Sequence, residues 1–334
     1  MTKVFVTRPI PEAGIEALKA KGYEVVVNKK AENRSATKEE IIVALRQAQG
    51  EGKPFSAILS VLTDKIDGEV MDVGLPTLKI IANYAVGFDN LDVEGAKKRN
   101  IMLTNTPGVL TNTVAEHTFA LMLSIAHRIS EADRFSRAGK YHAWGPNLLL
   151  GTDLSGKTLG VVGLGRIGSR VAYHAVKGFD MKVIYTDPKP PPAGGSEFEK
   201  EFGAQYVDKL DDLLPLCDFV SIHVPLLDST HHLINETRLR IMKRSAYLIN
   251  TSRGPIIDEK ALAKALRENV IRGAAIDVFE FEPEITPDLK KLDNIIITPH
   301  IASATEETRN KMAEMAVDNI INALEGRTPP NLVK

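Results

Sequence analysis

The 334-residue chain is too long for one ordinary domain and suits two. Its 42 basic and 43 acidic residues give a net charge of -1, so no global field favours nucleic acid or an anionic membrane, and 43% apolar content is ample for two cores. The single cysteine, Cys217, excludes an internal disulfide, "MTKVFVTRPI" has too short an apolar run for a secretory signal, and no stretch approaches the roughly 18 apolar residues of a membrane span. A soluble, cytoplasmic protein is expected.

The first hundred residues alternate β-branched runs with charged, helix-forming segments. "KVFVT" (3–7), "YEVVV" (23–27), "AILSV" (57–61), "KIIAN" (79–83) and "IMLTN" (101–105) predict strands. "EAGIEALKAKG" (12–22) and "KEEIIVALRQAQG" (38–50) predict helices, each ending on a glycine suited to a left-handed C-cap. Such alternation implies a parallel sheet covered on both faces, so this part is already one small α/β domain. "TNTVAEHTFALMLSIAHRISEADRF" (111–135) predicts a long helix with Thr113 and Glu116 spaced as a capping box. Its middle is apolar almost all round, so it must be buried on most faces. "AGKYHAWGPNLLLGTDLSGK" (138–157) breaks the periodicity and predicts an irregular crossing segment.

A second alternating series begins at 158: "TLGVVG", "MKVIYTD" (181–187), "AQYV" (204–207), "DFVSIHV" (218–224), "AYLINTS" (246–252), "AAIDV" (274–278) and "NIIITPH" (294–300). Helices lie between them, the clearest being "DEKALAKALREN" (258–269). "PKPPPAGG" (188–195) is a loop that cannot be helix or central strand. Cys217, in "LLPLCDFVSI", reads as a buried small hydrophobe. The chain closes on a helix over 304–326, with a capping box at Ser303 and Glu306. No internal repeat and no low-complexity tail is present.

Within this second series, "LGVVGLGRIGSR" (159–170) has the layout of a dinucleotide site: apolar strand, glycine turn, amphipathic helix. A lone G-x-G-x-x-G is weak, but here both flanks are right. Gly163 and Gly165 allow a tight turn and close backbone approach, and Gly168 lets helix pack on strand. The helix start offers unpaired N–H groups and partial positive charge to a diphosphate. "MKVIYTD" ends at Asp187, 24 residues after Gly163, where a carboxylate accepts the ribose hydroxyls of NAD and repels a 2′-phosphate. NAD is therefore expected ahead of NADP, although Lys189 would soften the preference.

A dinucleotide fold does not name a reaction. Arg253 in "TSRGPIID", Glu282 in "IDVFEFEP" and His300 in "IIITPH" each follow a strand, on the edge where the glycine loop sits. Singly, each has a bland explanation as a solvated or packed residue. Together they suit reversible hydride transfer to the carbonyl of a 2-oxo acid. Arg holds the carboxylate and polarises the carbonyl with a planar fork of donors. His quenches the developing alkoxide with a proton, and Glu282 beside it would orient it and favour the imidazolium.

On these residues the sequence resembles the D-isomer-specific 2-hydroxyacid dehydrogenases, nearly end to end. The resemblance rests on "ANYAVGFDNLD" (82–92), "TNTPGVLTNTVAEHTFALML" (104–123), "GKTLGVVGLGRIG" (156–168), "CDFVSIHVPLLDSTHHLIN" (217–235), "LINTSRGPIIDEKAL" (248–262), "AAIDVFEFEP" (274–283) and "LDNIIITPHIAS" (292–303). It implies two Rossmann/flavodoxin-like parallel-sheet α/β domains with a discontinuous substrate domain. That domain would take 1–105 and 301–334, and an NAD-binding domain would take 106–300, which explains why the glycine loop falls mid-chain. A cleft between them would close over substrate and nicotinamide, with helix 113–130 as one crossing. The resemblance gives Arg253 the substrate, and Glu282 the pairing with His300, the proton donor. Arg166 and Ile167 would cover the pyrophosphate, and Asp187 the adenosine ribose. Val224, Pro225 and Thr230 would line the adenine side, Thr251 and Ser252 the nicotinamide end, and Asp277 would hold the carboxamide. The N–H groups of Val86 and Gly87 would cradle the substrate carboxylate. No metal is expected.

Within the family, "ANYAVGFDN" and "TNTPGVLT" look most like glyoxylate and hydroxypyruvate reductases, with a D-lactate dehydrogenase-like activity as an alternative. Asp187 departs from the NADP-preferring members, and the absence of lysine from "YAVGFDN" counts against phosphite oxidation. Chain length argues against long-form phosphoglycerate dehydrogenases. Trp144 reads either as packing or as a residue reaching a substrate pocket, that of a partner subunit included. A homodimer is expected by resemblance. The competing reading, from another class, is a non-catalytic NAD(H)-sensing scaffold of the corepressor type.

Overall fold

A computed structural model describes residues 2–32, 34–192 and 195–333. The chain divides into two compact units, one of Met1–Leu110 with Ala304–Lys334, the other of Thr111–Ser303. Of the 188–195 loop, Ala193 and Gly194 lie outside the described residues, as do the end residues Met1 and Lys334; the rest of the loop is neither helix nor strand.

In chain order, the first unit holds β1 (Lys3–Val6), α1 (Glu12–Ala20), β2 (Glu24–Val27), α2 (Lys38–Gly50), β3 (Ala57–Val61), α3 (Gly68–Gly74), β4 (Ile80–Tyr84), α4 (Val93–Lys98) and β5 (Met102–Thr104). The five strands pair in parallel in the order β2-β1-β3-β4-β5. This is the flavodoxin-like order, reversing between β1 and β3. β1, β3 and β4 are buried throughout, as central strands covered on both faces must be. α2 opens with a capping box in which Thr37 accepts from Glu40 N and Glu40 accepts from Thr37 N. It runs through Gly50, and the left-handed residue is Gly52 (φ 71), not Gly50 as the sequence suggests.

The second unit holds α5 (Thr111–Ala126), α6 (Ile129–Arg137), β6 (Thr158–Val162), α7 (Arg166–Phe179), β7 (Lys182–Thr186), α8 (Glu197–Phe202), β8 (Gln205–Tyr206), α9 (Leu210–Leu213), β9 (Phe219–Ile222), α10 (Glu236–Ile241), β10 (Tyr247–Asn250), α11 (Glu259–Arg267), β11 (Gly273–Ile276) and β12 (Ile295–Ile297). α12 (Glu306–Leu324) returns to the first unit, where it packs on β4 and α1. The seven strands are parallel, in the order β12-β11-β10-β9-β6-β7-β8. Strand order reverses between β6 and β9, and such a switch point opens a crevice at the carboxyl ends of the strands.

Two sequence expectations are corrected. The long helix over 111–135 is two helices, because Arg128 adopts a left-handed conformation (φ 57). The chain at 151–152 crosses the end of α5, Thr152 N donating to Ala126 O (2.9 Å), and a Cβ on Gly151 would lie 2.5 Å from that oxygen. α5 starts at Thr111, so Thr113 lies inside the helix rather than capping it. Likewise α12 is capped by Thr305, which accepts from Thr308 N, not by Ser303. Among the described residues, no helix is long and apolar enough to cross a membrane. Cys217 is buried, donates to Leu213 O, and has its thiol pushed up to about 12 by burial.

Candidate functional site

The glycine loop joins β6 to α7. Gly163 sits at φ 94, and a Cβ there would lie 3.0 Å from the His223 carbonyl of the neighbouring β9 segment, so glycine is required twice over. A Cβ on Gly168 would lie 2.0 Å from Gly163 O, so that glycine sets how closely helix approaches strand. Gly165 differs, because a Cβ would meet nothing within 4 Å. It is the N-cap of α7 and supplies no side-chain cap bond. The first N–H groups of α7, around Arg166 and Ile167, thus have no side-chain cap and a helix dipole behind them, which fits a dinucleotide diphosphate.

Asp187 follows β7 and turns onto this loop. Its Oδ2 accepts from Leu164 N (3.0 Å) and its Oδ1 from Lys189 N (3.1 Å). Across the switch point, Val224 follows β9 and is buried, and its carbonyl accepts from Ser252 Oγ. Thr230 closes the next turn, donating to Pro225 O (2.7 Å) and accepting from Leu227 N (2.8 Å). Thr251 Oγ1 pairs with Thr118 Oγ1 of α5 (3.0 Å), which ties the end of β10 to that helix.

Arg253 heads the turn after β10, where Asn250 Nδ2 holds its carbonyl (2.9 Å) and Arg253 Nη1 donates to Ser252 O (2.9 Å). A Cβ on Gly254 would lie 1.9 Å from the Phe279 carbonyl carbon, so only glycine lets this turn pass the segment after β11. That segment carries Glu282, whose Oε1 accepts from Phe279 N (3.0 Å). His300 Nδ1 lies 2.9 Å from Glu282 Oε2 and 3.2 Å from Oε1, with both side chains about a quarter exposed. A carboxylate only accepts, so Nδ1 carries the proton of that bond and Nε2 is left for other work. The two residues that the sequence pairs are therefore brought together. Arg253 shares their sheet edge.

Val86 and Gly87 follow β4 in the first unit. Asn105 Nδ2 donates to Val86 O (2.8 Å) and Asn83 Nδ2 to Gly87 O (3.0 Å). Asn90 extends this network, donating to Asp64 O (2.9 Å) and accepting from Asn83 Nδ2 (3.0 Å). Three asparagines thus fix the backbone of this turn.

The description "D-isomer specific 2-hydroxyacid dehydrogenase, NAD binding domain" belongs to a family model that matches residues 119–302. A glyoxylate reductase of Korarchaeum cryptofilum is 49% identical over 99% of this chain and 95% of its own length. This chain belongs to the D-isomer specific 2-hydroxyacid dehydrogenase family. A solved Thermus thermophilus protein superposes with a TM-score of 0.90 at 42% identity, covering all of both chains. A solved NADPH-dependent glyoxylate/hydroxypyruvate reductase of Sinorhizobium meliloti gives 0.84 at 30% identity, covering 99% of this chain and 96% of the other. The dehydrogenase is thus an oxidoreductase with a nicotinamide-cofactor domain, and the corepressor-type alternative is not favoured.

One feature of this dehydrogenase goes beyond its sequence motifs. Asp277, just after β11, is fully buried, and both its oxygens are engaged within the chain. Oδ1 accepts from Thr298 Oγ1 (2.6 Å) and Ile301 N (2.9 Å), and Oδ2 from Ala302 N (2.8 Å). His117 Nε2 of α5 lies 3.5 Å from Oδ1. Burial raises the Asp277 carboxyl, but bonds from His117, Thr298 and the N–H groups of Ile301 and Ala302 outweigh it and hold the group below its usual range. His300 N also donates to Asp277 O (2.8 Å), which stabilises the left-handed backbone of His300 (φ 55). Asp277 therefore anchors the loop that carries His300. His117, Thr298, Asn90 and Asn105 escape sequence reasoning because each finds a partner far along the chain, while Asn83 bonds within its own turn, to Gly87 and Asn90.

Proposed function

We propose that this dehydrogenase reduces glyoxylate with NADH, accepting hydroxypyruvate as a second substrate, with a D-lactate dehydrogenase-like activity on pyruvate as the alternative. The observation that carries the reading is the His300–Glu282 pair at 2.9 Å on the same strand edge as Arg253 and the glycine loop. In this reading the 111–303 unit is the cofactor domain, and 1–110 with 304–334 the substrate domain.

The reduced nicotinamide, when bound, supplies the hydride. Arg253 holds the carboxylate of the 2-oxo acid and polarises its carbonyl. Val86 and Gly87, on the first unit, are proposed as substrate-binding residues through their backbone N–H groups. His300 donates the proton from Nε2 to the alkoxide oxygen, which completes the 2-hydroxy acid. Glu282 accepts from Nδ1–H, so the proton stays on Nδ1, and holds the ring in one orientation, as a carboxylate behind a catalytic imidazole does. Gly163, Gly165, Arg166, Ile167 and Gly168 take the diphosphate. Val224, Pro225 and Thr230 take the adenine side, and Thr251 and Ser252 the nicotinamide end. Asp277 would reach the carboxamide only through Oδ2, which has one donor of its own.

Asp187 supports NAD over NADP, since a carboxylate at the ribose repels a 2′-phosphate. A homodimer in the cytoplasm completes the proposal. What supports the dimer is the exposure of the apolar side chains Ile129, Tyr141, Trp144, Leu148 and Leu150, on and after α6. Trp144 is 80% exposed, so the packing alternative is not met within its own chain. The test crosses NADH and NADPH against glyoxylate, hydroxypyruvate, pyruvate and a bulkier 2-oxo acid. Highest kcat/KM with NADH and glyoxylate supports the proposal; preference for NADPH or for the bulkier acid refutes it.

A further inference from the structure

Away from the His300–Glu282 pair, the loop after β9 and the segment after β11 bring two imidazoles and a carboxylate together. The nearest ligand atoms of His231, His232 and Glu280 all lie within 4.8 Å of one another. His232 Nε2 is 2.8 Å from Glu280 Oε1. We propose that these three residues bind one divalent transition-metal ion of the zinc, cobalt or nickel class, which clamps the two loops together.

Three features argue for a site built to hold an ion. Consecutive side chains on extended backbone point to opposite sides. Here His232 takes a left-handed conformation (φ 48), and the two rings lie parallel at 4.1 Å, 29° apart. Histidine is one of the few non-glycine residues that visit this region, and doing so turns the His232 ring to the same side as that of His231. A backbone bond from His232 N to Pro255 O (2.8 Å) holds it there. Second, the Glu280 carboxylate is oriented from behind by the almost fully buried Glu259. Glu280 N donates to Glu259 Oε1 (2.8 Å), and Glu259 N donates to Glu280 Oε2 (3.2 Å). Oε1 is thereby aimed at the histidines, the arrangement by which outer partners orient a metal-binding carboxylate. Third, an ion pair between His232 and Glu280 would have no use for His231, whose imidazole completes a set of three.

Two imidazole nitrogens and one carboxylate oxygen suit zinc, cobalt or nickel, with water in the remaining position. Magnesium and calcium, which prefer oxygen ligands alone, are poorly served. Bonds of about 2.0–2.1 Å in a tetrahedron set ligand atoms about 3.3 Å apart. The 2.8 Å His232–Glu280 spacing must open slightly and the widest spacing must close. The exposed His231 has room to turn for this.

The test uses the full-length protein, stripped with a chelator and titrated with Co²⁺, reading the visible absorption of low-coordinate cobalt. The expected result is one Co²⁺ per chain, displaced by Zn²⁺. At Zn²⁺ about tenfold above its Kd, melting rises by about 3–6 °C. His231→Ala, an exposed change that leaves the core intact, weakens binding at least about tenfold, and Glu280→Gln does the same. His142→Ala, at an exposed histidine elsewhere, leaves it unchanged. Absence of binding up to about 1 mM Co²⁺ overturns the proposal. So does binding that survives His231→Ala, which would leave only a His232–Glu280 pair. Binding lost on His300→Ala instead would move the ion to the catalytic pair and overturn it equally.

Discussion

Asp277→Asn tests whether one buried carboxylate holds the loop that carries His300. The amide keeps one acceptor oxygen and puts an NH2 where the other was. With the oxygen at the Oδ1 position, the bonds from Thr298 and Ile301 survive but fall from charge-assisted to neutral strength, a loss of about 1 kcal/mol each. The NH2 then faces Ala302 N–H, two donors with no acceptor between them, for about 1–3 kcal/mol more. The flipped amide fares worse, since it opposes two donors instead of one. The sum is about 3–5 kcal/mol, which for a unit of this size lowers melting by about 6–20 °C. Loosening the loop also misplaces the His300 ring and lowers kcat by about 10–100-fold. The dependence on pH has a definite sign. The carboxyl is held below its usual range when folded, so below about pH 4 the unfolded chain binds more protons than the folded one. The wild-type advantage is therefore complete above about pH 4 and shrinks as the pH falls further. Thermal melts of both proteins from pH 3 to 7, with kcat at pH 7, measure all of this. Equal melting temperatures at pH 7, or a difference that does not narrow in acid, would refute the anchoring argument.

Two further predictions concern the cofactor edge. Asp187→Ser removes the carboxylate from the proposed ribose site and narrows the NADH over NADPH ratio of kcat/KM by about tenfold or more; an unchanged ratio would take Asp187 out of that site. His223, paired with Ser221 Oγ (2.8 Å), has its imidazole pushed down to about 3 by burial. The unfolded chain therefore binds this proton first, and stability declines as pH drops from about 6.5 towards 3. His223→Gln flattens that decline in urea denaturation series, and a slope equal to wild type would contradict the assignment.

What the sequence makes legible here is local. Strand, glycine turn and helix over 159–170 depend on neighbours in the chain, and so does the β/α alternation on each side. The Glu282–His300 pairing was reachable because both residues follow parallel strands, which brings their loops to one edge. The helix break at Arg128 was not, because the chain that takes the Ala126 carbonyl arrives from 151–152. The capping boxes at Thr113 and Ser303 matched a spacing that the backbone did not use, since helix starts are set partly by tertiary packing. Asp277 was legible as a polar residue at a strand end, but its four partners come from 117, 298, 301 and 302. The bonds of Asn90 to Asp64 and of Asn105 to Val86, and the approach of Glu280 to His231 and His232, were hidden for the same reason.

The central claim is that His300, oriented by Glu282, gives the proton that completes reduction of a 2-oxo acid. The most direct measurement is loss of reduced-nicotinamide absorbance with NADH and glyoxylate, comparing wild type with His300→Ala and measuring NADH affinity of both. The account predicts turnover by the wild type, a fall of about 10² or more in kcat for His300→Ala, and nearly unchanged NADH binding. Normal turnover by the variant, or NADH binding by the wild type without turnover on glyoxylate or any other 2-oxo acid, would contradict it.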